Sequence, residues 1–162
     1  MKIQNPKPLT LLLAEDDPDD CLLVRQALEK SRLISDLRCV EDGEDLLDYL
    51  RHRGKFADPK QSPRPGLILL DLNMPRKDGR EALQEIKSDP RLRAIRVIVM
   101  TTSKAEEDVV RSYDLSAASY IAKPVTFERL VEVVRTLGKY WLEIVELPPE
   151  NGNGNGNGGP QP

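Results

Sequence analysis

Four apolar runs in this sequence end in groups that can do chemistry. Leu11-Leu12-Leu13-Ala14 leads into Glu15-Asp16-Asp17, and Ile68-Leu69-Leu70 leads into Asp71. Val97 to Met100 leads into Thr101-Thr102-Ser103, and Tyr120-Ile121-Ala122 into Lys123-Pro124. An acid placed directly after Ile68-Leu69-Leu70 is unusual without a task. If these four ends met, Glu15, Asp16 and Asp71 would repel one another. A hard divalent cation removes that conflict. Mg²⁺ takes oxygen ligands in octahedral geometry, keeps several waters and accepts phosphate oxygens. No His or Cys stands at these ends, which disfavours zinc or a redox metal. Beside such a cation an aspartate carboxylate can attack phosphorus and form an aspartyl-phosphate. The metal would bridge Asp71 and the phosphoryl oxygens, Lys123 would add a second positive charge, and the Thr101 hydroxyl could donate to a phosphoryl oxygen. Positioning and electrostatics are most of what phosphoryl transfer demands.

Such groups converge only if the chain delivers the ends to one rim. Leu9 to Ala14 reads as a buried strand and Pro18 to Ser31 as a helix, with Asp17 a natural cap and Pro18 suited to the first turn. On that helix Leu22, Leu23, Ala27 and Leu28 mark the expected inner face. A strand is expected over Asp36–Glu41 and a helix over Gly43–Arg53 with Leu46, Leu47 and Leu50 inward. Gly54–Gly66 reads as a polar loop. Leu67–Leu70 reads as a strand buried on both faces. A helix follows over Gly79–Ser88 with Ala82, Leu83 and Ile86 inward, and Gly79 is a backbone requirement at its start. Then come a strand at Val97–Met100, a helix at Ala105–Leu115, a strand at Ala118–Ala122 and a long helix over Thr126–Val145. Five β-α repeats predict an α/β fold: a doubly wound, five-stranded parallel sheet with helices on both faces. In such sheets chemistry gathers at the carboxyl ends of the strands, near the switch in strand order.

Taken together, Leu12-Leu13-Ala14-Glu15-Asp16-Asp17, Leu69-Leu70-Asp71-Leu72-Asn73-Met74-Pro75, Met100-Thr101-Thr102 and Ile121-Ala122-Lys123-Pro124 resemble the receiver domain of two-component response regulators, a flavodoxin-like fold, over about residues 9–145. The resemblance implies that Asp71 is the phosphoacceptor and that Glu15 and Asp16 bind Mg²⁺, Asp16 directly. It places the main-chain carbonyl of Asn73 in the metal site. It makes Thr101 the switch hydroxyl, Tyr120 the switch aromatic and Lys123 the phosphate-binding lysine. It puts Pro124 after a cis peptide bond. A histidine kinase is the implied phosphoryl donor, and the domain itself is no enzyme in the ordinary sense. The loop Gly54–Gly66, the run Arg76-Lys77-Asp78-Gly79-Arg80-Glu81 and the segment Thr101 to Asp108 resemble the single-domain regulators paired with phytochrome-type kinases. That likeness implies a homodimer through the fourth helix, fifth strand and fifth helix. On the fifth helix Phe127, Leu130, Val134, Leu137 and Trp141 form an inward stripe, and Val133, Tyr140, Ile144 and Leu147 a second apolar set.

Two other functions compete. An aspartyl-phosphate hydrolase needs a second acid, commonly two residues after the nucleophile, and that position holds Asn73. A phosphate-independent adaptor should have lost a member of the site, and none is lost. The resemblance makes phosphoryl lifetime depend on the positions two after the phosphoacceptor and two after the switch hydroxyl, here Asn73 and Ser103; neither is a carboxylate, so slow to intermediate dephosphorylation is expected.

The 162 residues favour one domain: an extension over 1–8, a receiver over 9–147 and an Asn/Gly-rich tail over 148–162 with nothing apolar to bury. A net charge of -3 argues against nucleic acid or anionic membrane as a partner. Neither a spanning helix nor a signal peptide is evident, so a cytoplasmic protein is expected. Cys21 and Cys39 read as small apolar residues or free thiols in a reducing compartment. The only histidine, His52, reads as a solvated surface residue.

Overall fold

The computed structural model describes residues 9–32, 35–74, 76–101, 119–122 and 126–146. The described elements are β1 (Leu9–Ala14), α1 (Pro18–Ser31), β2 (Ser35–Val40), α2 (Gly43–Arg51), β3 (Leu67–Asp71), α3 (Gly79–Ser88), β4 (Arg96–Thr101), β5 (Ser119–Ala122) and α4 (Phe127–Glu146). A 3₁₀ turn at Gly54–Phe56 interrupts the polar loop. All strand pairs are parallel, in the order β2-β1-β3-β4-β5. This is the expected doubly wound sheet, with its switch in order between β1 and β3. The helix read at 105–115, the tail and the first eight residues lie outside the described residues.

The apolar runs in β1 and β3 are continuous because both strands are central and covered on both faces. Leu12, Ala14, Ile68, Leu70, Val97 and Val99 pack under α2 and α3. Leu11, Leu13, Leu67, Leu69, Ile98 and Met100 pack under α1 and α4. The helices follow from their stripes and caps. Asp17, Asp42 and Asp78 cap α1, α2 and α3 by accepting backbone N–H bonds. On α2 and α3 the inward residues are those expected, with Tyr49 added.

Three sequence readings need correction. Leu22 is 52 % exposed, and Val24 takes its place on the inner face of α1, because the stripe runs at i, i+3 and i+4 through Val24, Ala27 and Leu28. His52 is not a free surface residue. It is half-buried, ends α2 in the left-handed conformation (φ 56°), and its Nε2 lies 2.8 Å from the Ser62 carbonyl. It therefore fastens the polar loop to α2. Finally, Cys21 and Cys39 are joined by a disulfide, their Cα atoms 6.7 Å apart. The cause is register. Cys21 extends the Val24/Leu28 stripe by one turn, and Cys39 shares the β2 face of Leu37 turned toward α1.

Candidate functional site

The switch point brings the acids together. Ala14 pairs with Leu70 across β1 and β3, so the residues that follow, Glu15 and Asp71, emerge side by side. Asp16 enters from the turn into α1. One ligand oxygen from each of Glu15, Asp16 and Asp71 lies within 4.8 Å of the others. Glu15 and Asp71 are buried, 4 % and 3 % exposed, while Asp16 is open to solvent. Burying two carboxylates against a third is costly without a compensating charge. The donor set is all oxygen, one member faces solvent, and neither cysteine belongs to it. Those features fit a hard, partly hydrated cation such as Mg²⁺.

Backbone contacts fix each acid. The Glu15 N–H donates to the Val40 carbonyl at 2.9 Å, which ties the β1 end to β2. Glu15 Oε2 accepts from the Asp17 N–H at 3.3 Å. Asp71 Oδ1 accepts from the Asn73 N–H at 3.1 Å, so the chain turns back on the carboxylate as it leaves β3. The Asn73 side chain is exposed. Gly79 closes the loop: its N–H donates to the Leu72 carbonyl at 3.0 Å. A Cβ there would sit 2.5 Å from the Asp71 carbonyl oxygen, so only glycine permits this approach.

A second set of contacts around the loop was not foreseen. Asp42, 7 % exposed, caps α2 and accepts from Arg76 Nε at 2.7 Å and from another guanidinium nitrogen at 3.0 Å. Arg76 adopts a positive φ of 63° to reach it and also touches Asp45. Beside it the Gly43 N–H donates to the Lys77 carbonyl at 2.9 Å, and a Cβ on Gly43 would fall on that same carbonyl. Burial pushes the Asp42 carboxyl upward, but the Arg76 guanidinium and the Asp45 and Glu44 N–H groups outweigh it and hold the group below the usual range. Lys77 and Arg51 both pair with Glu85, and the Lys77 hydrogen bond chiefly holds the Glu85 carboxyl low as well. The loop after Asp71 is therefore pinned to α2 and α3.

Other expected members are placed only in part. Thr101 ends β4 and pairs with Ala122 of β5, and Tyr120 pairs with Val99; their side chains lie outside the described residues. Lys123 and Pro124 lie outside them altogether.

Comparison with known proteins places the fold in a family. Residues 11–135 match the family model of the response regulator receiver domain. The chain is 41 % identical over 148 residues to response regulator Rcp1 of Synechocystis sp., covering 91 % of this chain and 99 % of Rcp1. Among solved structures, the phosphorylated cyanobacterial phytochrome response regulator RcpA superposes with a TM-score of 0.74 at 41 % identity, over 88 % of this chain and 100 % of that one. The Mn²⁺-bound form of Rcp1 superposes with a TM-score of 0.72 at 42 % identity and the same coverage.

Proposed function

This chain belongs to the response regulator receiver domain family, and on that premise we propose that Asp71 accepts a phosphoryl group from a histidine kinase of the phytochrome type. Glu15, Asp16 and Asp71, with the Asn73 main-chain carbonyl, would hold Mg²⁺. The cation supplies charge neutralisation for the phosphoryl oxygens. The chain's own residues do the rest. The Asp71 carboxylate attacks the phosphorus of the kinase's phosphohistidine, whose P–N bond breaks and whose imidazole leaves, while the Asn73 N–H holds Asp71 Oδ1 and the buried position keeps bulk water from one side of the resulting anhydride. Lys123 would neutralise a phosphoryl oxygen, and the Thr101 hydroxyl would move toward the new dianion. That movement would vacate room for Tyr120 and reshape the face of β5 and α4. A homodimer through that face, in the cytoplasm, is the proposed output state.

The observation that carries the reading is the convergence of Glu15, Asp16 and Asp71 at the switch point of a receiver sheet. The Mn²⁺-bound form of Rcp1 supports a divalent cation in that relative, and the phosphorylated RcpA structure supports phosphorylation there. Incubation with acetyl phosphate and Mg²⁺, followed by intact mass, tests the reading. A gain of about 80 Da, absent in Asp71→Asn, is expected for one phosphoryl group. An equal gain in Asp71→Asn contradicts it.

A further inference from the structure

The Cys21–Cys39 disulfide flanks the turn that carries two of the acids. Cys21 stands in the first turn of α1, and its backbone N–H donates to the Asp17 carbonyl at 3.2 Å. Asp17 directly follows Asp16. On the other flank, Cys39 precedes Val40, whose carbonyl accepts the Glu15 N–H. In the sheet, Leu13 stands beside Cys39 and Ala14 beside Val40. Residues 15–17 are thus held on one side by α1 and on the other by β2, and the sulfur bridge ties those two sides together. Cys39 is exposed and Cys21 half-buried, so small thiols and disulfides can reach the pair from solvent. They are the only cysteines in the chain, and no third protein thiol competes in exchange.

We propose that Cys21 and Cys39 form a reversible thiol–disulfide site whose state sets the affinity of the Glu15/Asp16/Asp71 cluster for a divalent cation. The coupling rests on the reading of those acids as cation ligands. The oxidant is a low-molecular-weight disulfide such as oxidised glutathione. The Cys39 thiolate attacks one glutathione sulfur, and a glutathione thiolate leaves. The Cys21 thiolate then attacks the Cys39 sulfur of the mixed disulfide, and the second glutathione thiolate leaves. Both cysteines are oxidised, one glutathione disulfide is reduced to two thiols, and the protons lost by the protein end on glutathione. In the oxidised form the turn is covalently bracketed. In the reduced form the covalent tie is gone, the turn keeps its hydrogen bonds, among them Glu15–Val40, Cys21–Asp17 and Asp17–Glu15, and local opening competes with cation binding.

The full chain, oxidised with glutathione disulfide or reduced with dithiothreitol, would be assayed by thiol titration, intact mass and calorimetric titration with Mg²⁺ alone. Cys39→Ser serves as the control that cannot form the bond. Oxidation is expected to remove both free thiols with a loss of about 2 Da and no retained glutathione. The oxidised chain is expected to bind Mg²⁺ about fivefold more tightly than the reduced chain, and Cys39→Ser is expected to match the reduced chain under both treatments. Persistent thiols, a stable glutathione adduct, or equal Mg²⁺ affinity in the two states would overturn the proposal. Mg²⁺ binding in neither state would overturn the ligand reading and the coupling with it, and the thiol count would still report separately whether the bond forms.

Discussion

In its proposed role Asp71 does two opposed things: it lies buried beside Glu15 and Asp16, and it stays reactive. In the absence of metal the cluster is a source of repulsion. Asp71→Asn removes one of the repelling charges and keeps an oxygen to accept the Asn73 N–H. Without metal that variant should be at least as stable as the parent in urea titration; clear destabilisation would mean that Asp71 is structurally paired. Asp42 behaves in the opposite way. Its carboxyl is held below the ordinary range by Arg76 and two N–H groups, against the upward push of burial. A depressed folded value gives stability that is present above the unfolded value of about 3.9 and is lost as pH falls through the folded value. Asp42→Ala also loses the α2 cap and should cost about 1–2 kcal/mol at pH 7. Asp42→Asn should be destabilised at pH 7, with the gap to the parent narrowing from pH 5 to pH 3. A gap independent of pH would remove the charge from the explanation.

At the scale of elements, the site depends on loops that tolerate no extra atoms. Gly79 lies against the Asp71 carbonyl, so Gly79→Ala forces the β3–α3 connection outward. The expected cost is about 1–3 kcal/mol by urea titration, and Mg²⁺ affinity should fall with it. An alanine variant with parental stability would mean that the loop relaxes freely. The strands and most helices were legible in the sequence because each carries a local signal. β1 and β3 are short apolar runs, Asp17 and Pro18 announce α1, and Gly79 announces α3. The three acids were legible because they sit at strand ends, and a parallel sheet brings such ends to one rim. What escaped were pairings set by tertiary register. Arg76 meets Asp42 from 34 positions away, and neither type alone predicts the other. Cys21 and Cys39 could be recognised as partners only once α1 was laid on the correct face of β2. Leu22 was misassigned because α1 carries Leu22, Leu23 and Val24 in succession, so the inner face could be drawn at more than one phase.

The molecule as a whole is a five-stranded sheet whose three acids gather at one rim, and the face of β5 with α4 is the one proposed above for a second copy. Leu130, Val131 and Val134 of α4 are buried against the α1 side of the core, and Val133 is half-buried at its margin. If that margin pairs two copies, sedimentation at tens of micromolar with and without a phosphoryl analogue should reveal a dimer; monomer in both would exclude it. Cation binding should also register in global stability. At twenty times its dissociation constant, Mg²⁺ should add about 1.8 kcal/mol by linkage, raising Tm by roughly 4–7 °C for a domain of this size. An unchanged Tm would place the cation outside the folded state's preferences. The most direct measurement is to find the phosphoryl group. The chain would be treated with acetyl phosphate in Mg²⁺ or in a chelator, reduced with borohydride, which converts an aspartyl-phosphate to homoserine, and mapped by peptide mass. Homoserine at position 71, in the Mg²⁺ arm only, is the predicted result. Homoserine at any other position, or equal conversion in the chelator arm, would contradict the account.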